Sequence, residues 1–428
     1  MSFDAPFRPA RRVAIIGGGI SGLAACWLLS RNNAVTLYEA EPRLGGHART
    51  VMAGKRGDQP VDTGFIVFNY ANYPHLTRMF QDLDVPVAKS NMSFGASIDH
   101  GRIEYGLEDL GALLAQRRNL ARPGFLRMLR DILRFNARAE AFAKDTDATI
   151  GDLMSELQLG RWFRDYYLVP LSGAIWSTPP EQILSFPARA LVQFFRNHAL
   201  LSAQGQHQWW TVEGGSREYV SRLEAALKAQ GADLRVSCPV RSVRRTGGLV
   251  AVVTDGAAET FDEVIFACHS DQALRLLDQP TETEHRALSA IRFQDNAVYL
   301  HRDVAQMPKR RKVWSSWVYQ AETGVKRTQI GVSYWMNRLQ NIPEEDPLFI
   351  TLNPARDIPD HLVYDQNTFR HPVFDLAALK AQGRLREMQG QNNTWFAGAY
   401  TRHGFHEDGF ASAVRIARAL DRREALAA

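Results

Sequence analysis

Cysteine is scarce in this sequence: Cys26, Cys238 and Cys268 are the only three in 428 residues, and no CxxC pair occurs. Such spacing writes neither a disulfide framework nor a thiolate metal site, so no metal is expected and a reducing compartment is. No run of about 18 apolar residues exists, which excludes a simple membrane-spanning helix. A strong charge excess is missing too, since 51 Lys plus Arg against 46 Asp plus Glu leave a formal net charge of +5. That balance permits an anionic surface as a partner but gives little support to nucleic acid. Internal repeats and low-complexity tracts are absent, and 45% hydrophobic against 23% charged residues is not the composition of a disordered chain. A strand is predicted within a dozen residues of Met1, leaving no room for a signal peptide, so a cytoplasmic protein is expected.

What is present begins at Val13-Ala14-Ile15-Ile16, an apolar run typical of a buried parallel strand, followed at once by Gly17-Gly18-Gly19-Ile20-Ser21-Gly22. Leu23 to Leu29 reads as a helix and Ala34 to Tyr38 as a second strand ending at Glu39. This is one βαβ unit with G-x-G-x-x-G at its first turn. Gly17 permits the tight turn, Gly19 lets backbone approach a pyrophosphate, Gly22 packs helix on strand, and Glu39 accepts from a ribose hydroxyl. An acid at 39 argues against a 2′-phosphate.

After Glu39 the chain reads Ala40-Glu41-Pro42-Arg43-Leu44-Gly45-Gly46-His47, a second glycine pair that nicotinamide dehydrogenases lack. Further stretches are Val61-Asp62-Thr63-Gly64, Val212-Glu213-Gly214-Gly215-Ser216, Phe261 to Ala267, Trp395-Phe396-Ala397-Gly398 and Gly404-Phe405-His406-Glu407-Asp408-Gly409. Together they resemble the flavin amine oxidase, protoporphyrinogen oxidase and phytoene desaturase superfamily over nearly the whole chain. The resemblance implies an α/β fold: a Rossmann-like FAD-binding domain of the glutathione-reductase type with a discontinuous α+β substrate domain, as in amine oxidases. FAD would be held by Gly17, Gly19, Ile20, Ser21, Gly22, Glu39, Ala40, Arg43, Gly45, Gly46, His47, Thr63, Gly64, Val240, Gly398, Gly409 and Phe410. Arg43 would reach the phosphates or ribose, Val240 would pair its backbone with adenine, and a helix over 409–420 would point its N-terminus at the flavin. Two departures from the family stand out: His47 replaces a usual Arg, and Ala399 a usual acid.

Residues 1–70, 205–280 and 385–428 are expected to form the FAD domain, and 71–204 with 281–384 the substrate domain. Segment 71–204 reads as largely helical, whereas Asn296 to Leu300 and Gln329 to Trp335 alternate like strands. Between Arg117 and Lys144, Phe125, Leu126, Leu129, Ile132 and Leu133 recur at helical spacing on one side, and Arg127, Arg130, Arg134 and Arg138 on another. This basic amphipathic helix over 122–144 reads either as an ordinary surface helix or as one lying on anionic phospholipid. The latter would place the protein at the inner face of the cytoplasmic membrane. Trp162 to Leu171, Ala174 to Ser177, Phe186, Leu191, Phe194, Phe195, Trp209 and Trp210 supply large apolar side chains, as core or as the wall of a lipid-sized tunnel. Monomer and homodimer both stay open.

Amine oxidation in this superfamily commonly uses a lysine on the strand matching Phe293 to His301, which has none, and of the expected aromatic pair only Phe405 has a match. His47, Ala267 to Leu274 and Gly404 to Gly409 instead resemble the bacterial methylated fatty acid desaturases of furan fatty acid biosynthesis. That likeness implies hydride removal from a methyl-branched unsaturated acyl chain of phospholipid, with His47, His406 or Glu407 as candidate bases. Cys268 and His269 read as structural. An amine or porphyrinogen oxidase, and a non-catalytic flavin- or lipid-binding protein, are the alternatives.

Overall fold

The computed structural model describes residues 10–144, 148–176, 183–197, 207–321 and 331–426. The side chains of 173–176 and 194 and the residues Ser177, Gln329 and Ile330, named above, lie outside that description. A five-stranded parallel sheet, in the order Asp233–Arg235, Ala34–Tyr38, Arg12–Ile16, Glu263–Phe266, Thr394–Phe396, carries the nucleotide-binding turn. Arg12–Ile16 is central, with Ile15 opposite Leu37 on one side and Ile265 on the other. Val13 to Ile16 are consequently all buried, which is why the strand reads as continuous rather than alternating hydrophobics. The helix Ile20–Leu29 covers the sheet and is itself covered by the long helix His406–Leu426. An antiparallel meander, Val240–Thr246, Leu249–Thr254 and Ala258–Phe261, packs nearby.

A seven-stranded sheet forms the second layer, in the order Val363–Pro372, Phe293–His301, Phe349–Leu352, Gly331–Trp335, Trp317–Ala321, Phe94–Ile98, Ile103–Gly106. Its last two strands interrupt a 71–204 that is, as expected, largely helical. Phe94, Ala96 and Ile98 alternate with period two and bury one face, a short pattern hidden between helical stretches. Polar contacts join the layers. Arg49 donates to both carboxylate oxygens of Asp365 at 2.6 and 3.0 Å. Buried Asp62 accepts from the Thr50 hydroxyl, the Ser216 N–H and hydroxyl, and the Gln340 amide, drawing the Val61–Gly64 and Val212–Ser216 stretches together.

The helix Pro123–Ala143 sits differently from its sequence reading. Its inward face is Phe125, Met128, Asp131, Phe135, Ala139 and Ala143. Leu126 and Leu133 point to solvent on the same side as the arginines. Among the described residues no helix is long and apolar enough to cross a membrane.

Candidate active site

A cavity of about 1070 Å³ runs along the C-terminal edge of the parallel sheet. That edge is where ligands bind in open α/β sheets. Gly17, with φ +111°, makes the turn after the first strand. A Cβ on Gly22 would lie 1.8 Å from the Gly17 carbonyl oxygen, so helix and turn touch there and only glycine fits. A Cβ on Gly19, by contrast, meets nothing within 4 Å. It projects into space beside a helix N-terminus, the cradle a pyrophosphate needs. Glu39 is held ready at the end of the second strand, its carboxylate accepting from the N–H groups of Gly18 at 2.6 Å and Glu41 at 2.8 Å. Ile20, Ser21, Ala40, Arg43, Gly46, Thr63, Gly64, Val240 and Gly398 share the wall. These residues fit a dinucleotide: N–H donors for phosphate, an acid for ribose, and glycines where a side chain would intrude.

Other expected contacts are placed elsewhere. Arg43 is on the wall, yet its guanidinium donates to the carbonyls of Leu44, Gly46 and Ala48, tying down the glycine-pair loop. Gly45 forms the turn behind that loop, with φ +111° and its N–H on the Gly18 carbonyl. Gly22, Gly45, Gly409 and Phe410 are not on the cavity wall. Gly409 packs against Ser21 and Ile20 where the two helices cross, so the helix begins at His406 rather than at 409. Glu407 is not available as a base: its two oxygens accept the N–H groups of His75 and Leu76, both at 3.0 Å, capping the helix Pro74–Asp82. Burial pushes that carboxyl up to about 7 against the pull of those two bonds.

Five histidines line the cavity: His47, His269, His371, His403 and His406. His47 stacks on Phe369 at 4.6 Å between ring centres and lies 5.6 Å from His371 and 6.1 Å from His269. His406 stacks on Phe65 at 3.9 Å, and its Nε2 bonds the Tyr219 hydroxyl at 2.7 Å. Burial pulls His47 and His269 down to about 4 and His371 and His406 to about 3, with the nearby His47 lowering His269, His371 and His406 further. His47, His269, His371 and His406 are neutral at pH 7, and burial lowers His403 as well. His47 donates to the Arg370 carbonyl and leaves its buried Nε2 with no partner, a lone pair at the wall. Among the described residues no three His, Cys, Asp or Glu side chains converge to hold a metal ion.

Sequence reading missed His371 and Phe369, and took Cys268 and His269 as structural although both line the cavity. The signal for the first pair was the i, i+2 spacing on the strand Val363–Pro372. Of the expected apolar lining, Leu171 and Trp209 reach the cavity, joined by Phe94, Trp317, Tyr334 and Ile350. Phe195 is instead core against Phe135, and Phe186 and Leu191 line a separate small pocket.

Residues 20–301 match the model of the flavin containing amine oxidoreductase family. The chain belongs to that family. It is accordingly an FAD-binding oxidoreductase with the α/β architecture described above. It is 27% identical over 287 residues to the carotenoid phi-ring synthase of Streptomyces griseus, covering 63% of this chain and 54% of that one. The chain thus spans about half the length of that relative. Among solved structures it is similar to the CLA-producing fatty acid isomerase from P. acnes, with a TM-score of 0.70, 15% identity, and coverage of 96% and 99% of the two chains. Cyclohexylamine oxidase from Brevibacterium oxydans IH-35A gives a TM-score of 0.64 at 15% identity, covering 96% and 100%.

Proposed function

We propose that this flavoenzyme desaturates a methyl-branched unsaturated acyl chain of a phospholipid, the reaction of furan fatty acid biosynthesis. The observation that carries this reading is the make-up of the substrate side of the cavity. Phe94, Leu171, Trp209, Trp317, Tyr334 and Ile350 make it apolar, His47, His269, His371 and His406 are neutral, and among the described residues the wall contains no lysine. Among the described residues its two carboxylates, Glu39 and Glu41, belong to the nucleotide end, so neither of them faces an ammonium group on the substrate side. An acyl chain needs only apolar contact and exclusion of water.

Bound FAD supplies a hydride acceptor. Loss of that hydride and of one proton from adjacent carbons leaves a C=C bond, and removal of an allylic hydrogen lowers the barrier. The protein's part is to hold the chain and to receive the proton. His47 Nε2 suits the second task, being neutral, buried and without a partner. Phe369, stacked on its ring, keeps it in place.

An anaerobic titration of the flavin absorbance band with methylated unsaturated phospholipid tests this. Bleaching together with a conjugated diene in the extracted lipid is expected. Bleaching by amines and not by lipid would overturn it in favour of amine oxidation.

A further inference from the structure

Between Leu110 and Arg138 the chain carries seven arginines and one acid, Asp131. Asp131 is fully buried and engaged by Arg130 and the Gly160 N–H, so it cancels none of the outward charge beyond its own partner. The two acids just before this stretch are also occupied, Glu108 by Arg338 and Asp109 by the N–H of Ala112. The same stretch is where apolar side chains stand in water. Of ten exposed large apolar side chains among the described residues, Leu110, Leu120, Leu126 and Leu133 fall here, and Leu110 and Leu133 are 74% and 70% exposed. Leu126 and Leu133 are two helical turns apart and so lie on one line, with Arg130 between them and Arg127 and Arg134 beside them.

An ordinary surface helix turns leucines inward. This one has filled its inward face with Phe125, Met128 and Phe135 and keeps a second apolar line outside, flanked by cations. That arrangement matches the boundary between phosphate headgroups and acyl chains, where leucines enter and arginines meet phosphate. We propose that the helix Pro123–Ala143, with Leu110 and Leu120 before it, docks on an anionic phospholipid bilayer. Nucleic acid fits less well: it would use the arginines but gain nothing from the leucines. This surface stands apart from the reaction proposed above, because vesicles of saturated chains carry no substrate.

The test is flotation of the FAD-loaded protein with phosphatidylcholine vesicles, with and without phosphatidylglycerol. Wild type is expected to float with the anionic vesicles only, less so at high salt. Arg127→Glu with Arg138→Glu is expected to weaken binding roughly a hundredfold, and Leu126→Ser with Leu133→Ser to weaken it at least tenfold, flavin content being unchanged in both. These positions are at the surface, so folding is not at stake. Failure of wild type to float would overturn the proposal. So would leucine variants that bind as wild type, which would mark a site for polyanions in general or for a second copy.

Discussion

Asn296 decides which nitrogen of His371 carries the proton. Asn353 accepts the Ala297 N–H at Oδ1 (3.0 Å) and so turns its amide towards Oδ1 of Asn296 (2.8 Å). Asn296 must then present its own amide to Nδ1 of His371, 3.1 Å away. Nδ1 is therefore an acceptor, and the proton resides on Nε2. Asn296→Asp keeps the shape but replaces the donor by an acceptor, forcing the proton to Nδ1. Nitrogen NMR of the His371 ring should report the switch. If His371 orients the acyl chain or the flavin as a donor, lipid-driven flavin reduction slows by roughly tenfold or more, and an unchanged rate would make the pair purely structural.

Two glycines of one motif should respond in opposite ways. Gly19→Val places its side chain in open space, so circular dichroism should remain native while copurifying flavin is lost. Gly22→Ala drives a methyl group into the Gly17 carbonyl and should cost stability before it costs cofactor. Full flavin occupancy in the valine variant would place the phosphates elsewhere.

Glu407→Gln separates a cap from a base. As the acceptor for His75 and Leu76 it is expected to lose about 1 kcal/mol of stability, with substrate-driven flavin reduction within about twofold of wild type. A loss of a hundredfold or more in rate at unchanged stability would restore it as a base.

The cavity histidines make stability depend on acid in a definite direction. His47 has an ordinary value of 6.5 and a folded value of about 4, so between these the unfolded chain takes up the proton first. Its contribution is complete above pH 6.5 and disappears as pH falls through about 4. Asp62 and Glu407, pushed up to about 6 and about 7, act in the opposite direction, so the informative quantity is a difference. Between pH 7 and pH 4 the wild type should lose more stability than His47→Gln, by as much as about 3 kcal/mol, measured by denaturant unfolding at each pH. Parallel curves would mean that His47 titrates normally.

The nucleotide half of the site was legible because its requirements are local. A tight turn, a close approach and an acid at the next strand end are written within Val13 to Glu39. The strand and helix around them form as their apolar patterns predict. The substrate half was not, because it is assembled from separate strands whose side chains meet only through sheet order. His371 lies 324 positions from His47, and nothing in either segment announces the other. Glu407 misled for a related reason: an acid beside His406 looks like a catalytic pair, but helical geometry aims the two side chains at different neighbours, Tyr219 and the Pro74–Asp82 helix. The leucines of the basic helix misled through phase, since Leu126 and Leu133 and the buried Phe125 and Phe135 are both apolar series at helical spacing.

The strand Thr394–Phe396 completes the edge of the sheet beside Glu263–Phe266, while the opposite edge comes from Asp233–Arg235. The dinucleotide turn near residue 17 therefore spends most of synthesis without its full sheet, and its contacts are among the most distant along the chain. Loops of this length close late and slowly. A nascent chain stalled before residue 394 should remain colourless, and the yellow of bound flavin should arise in one step after that strand has emerged, which makes cofactor uptake a marker for completion of folding.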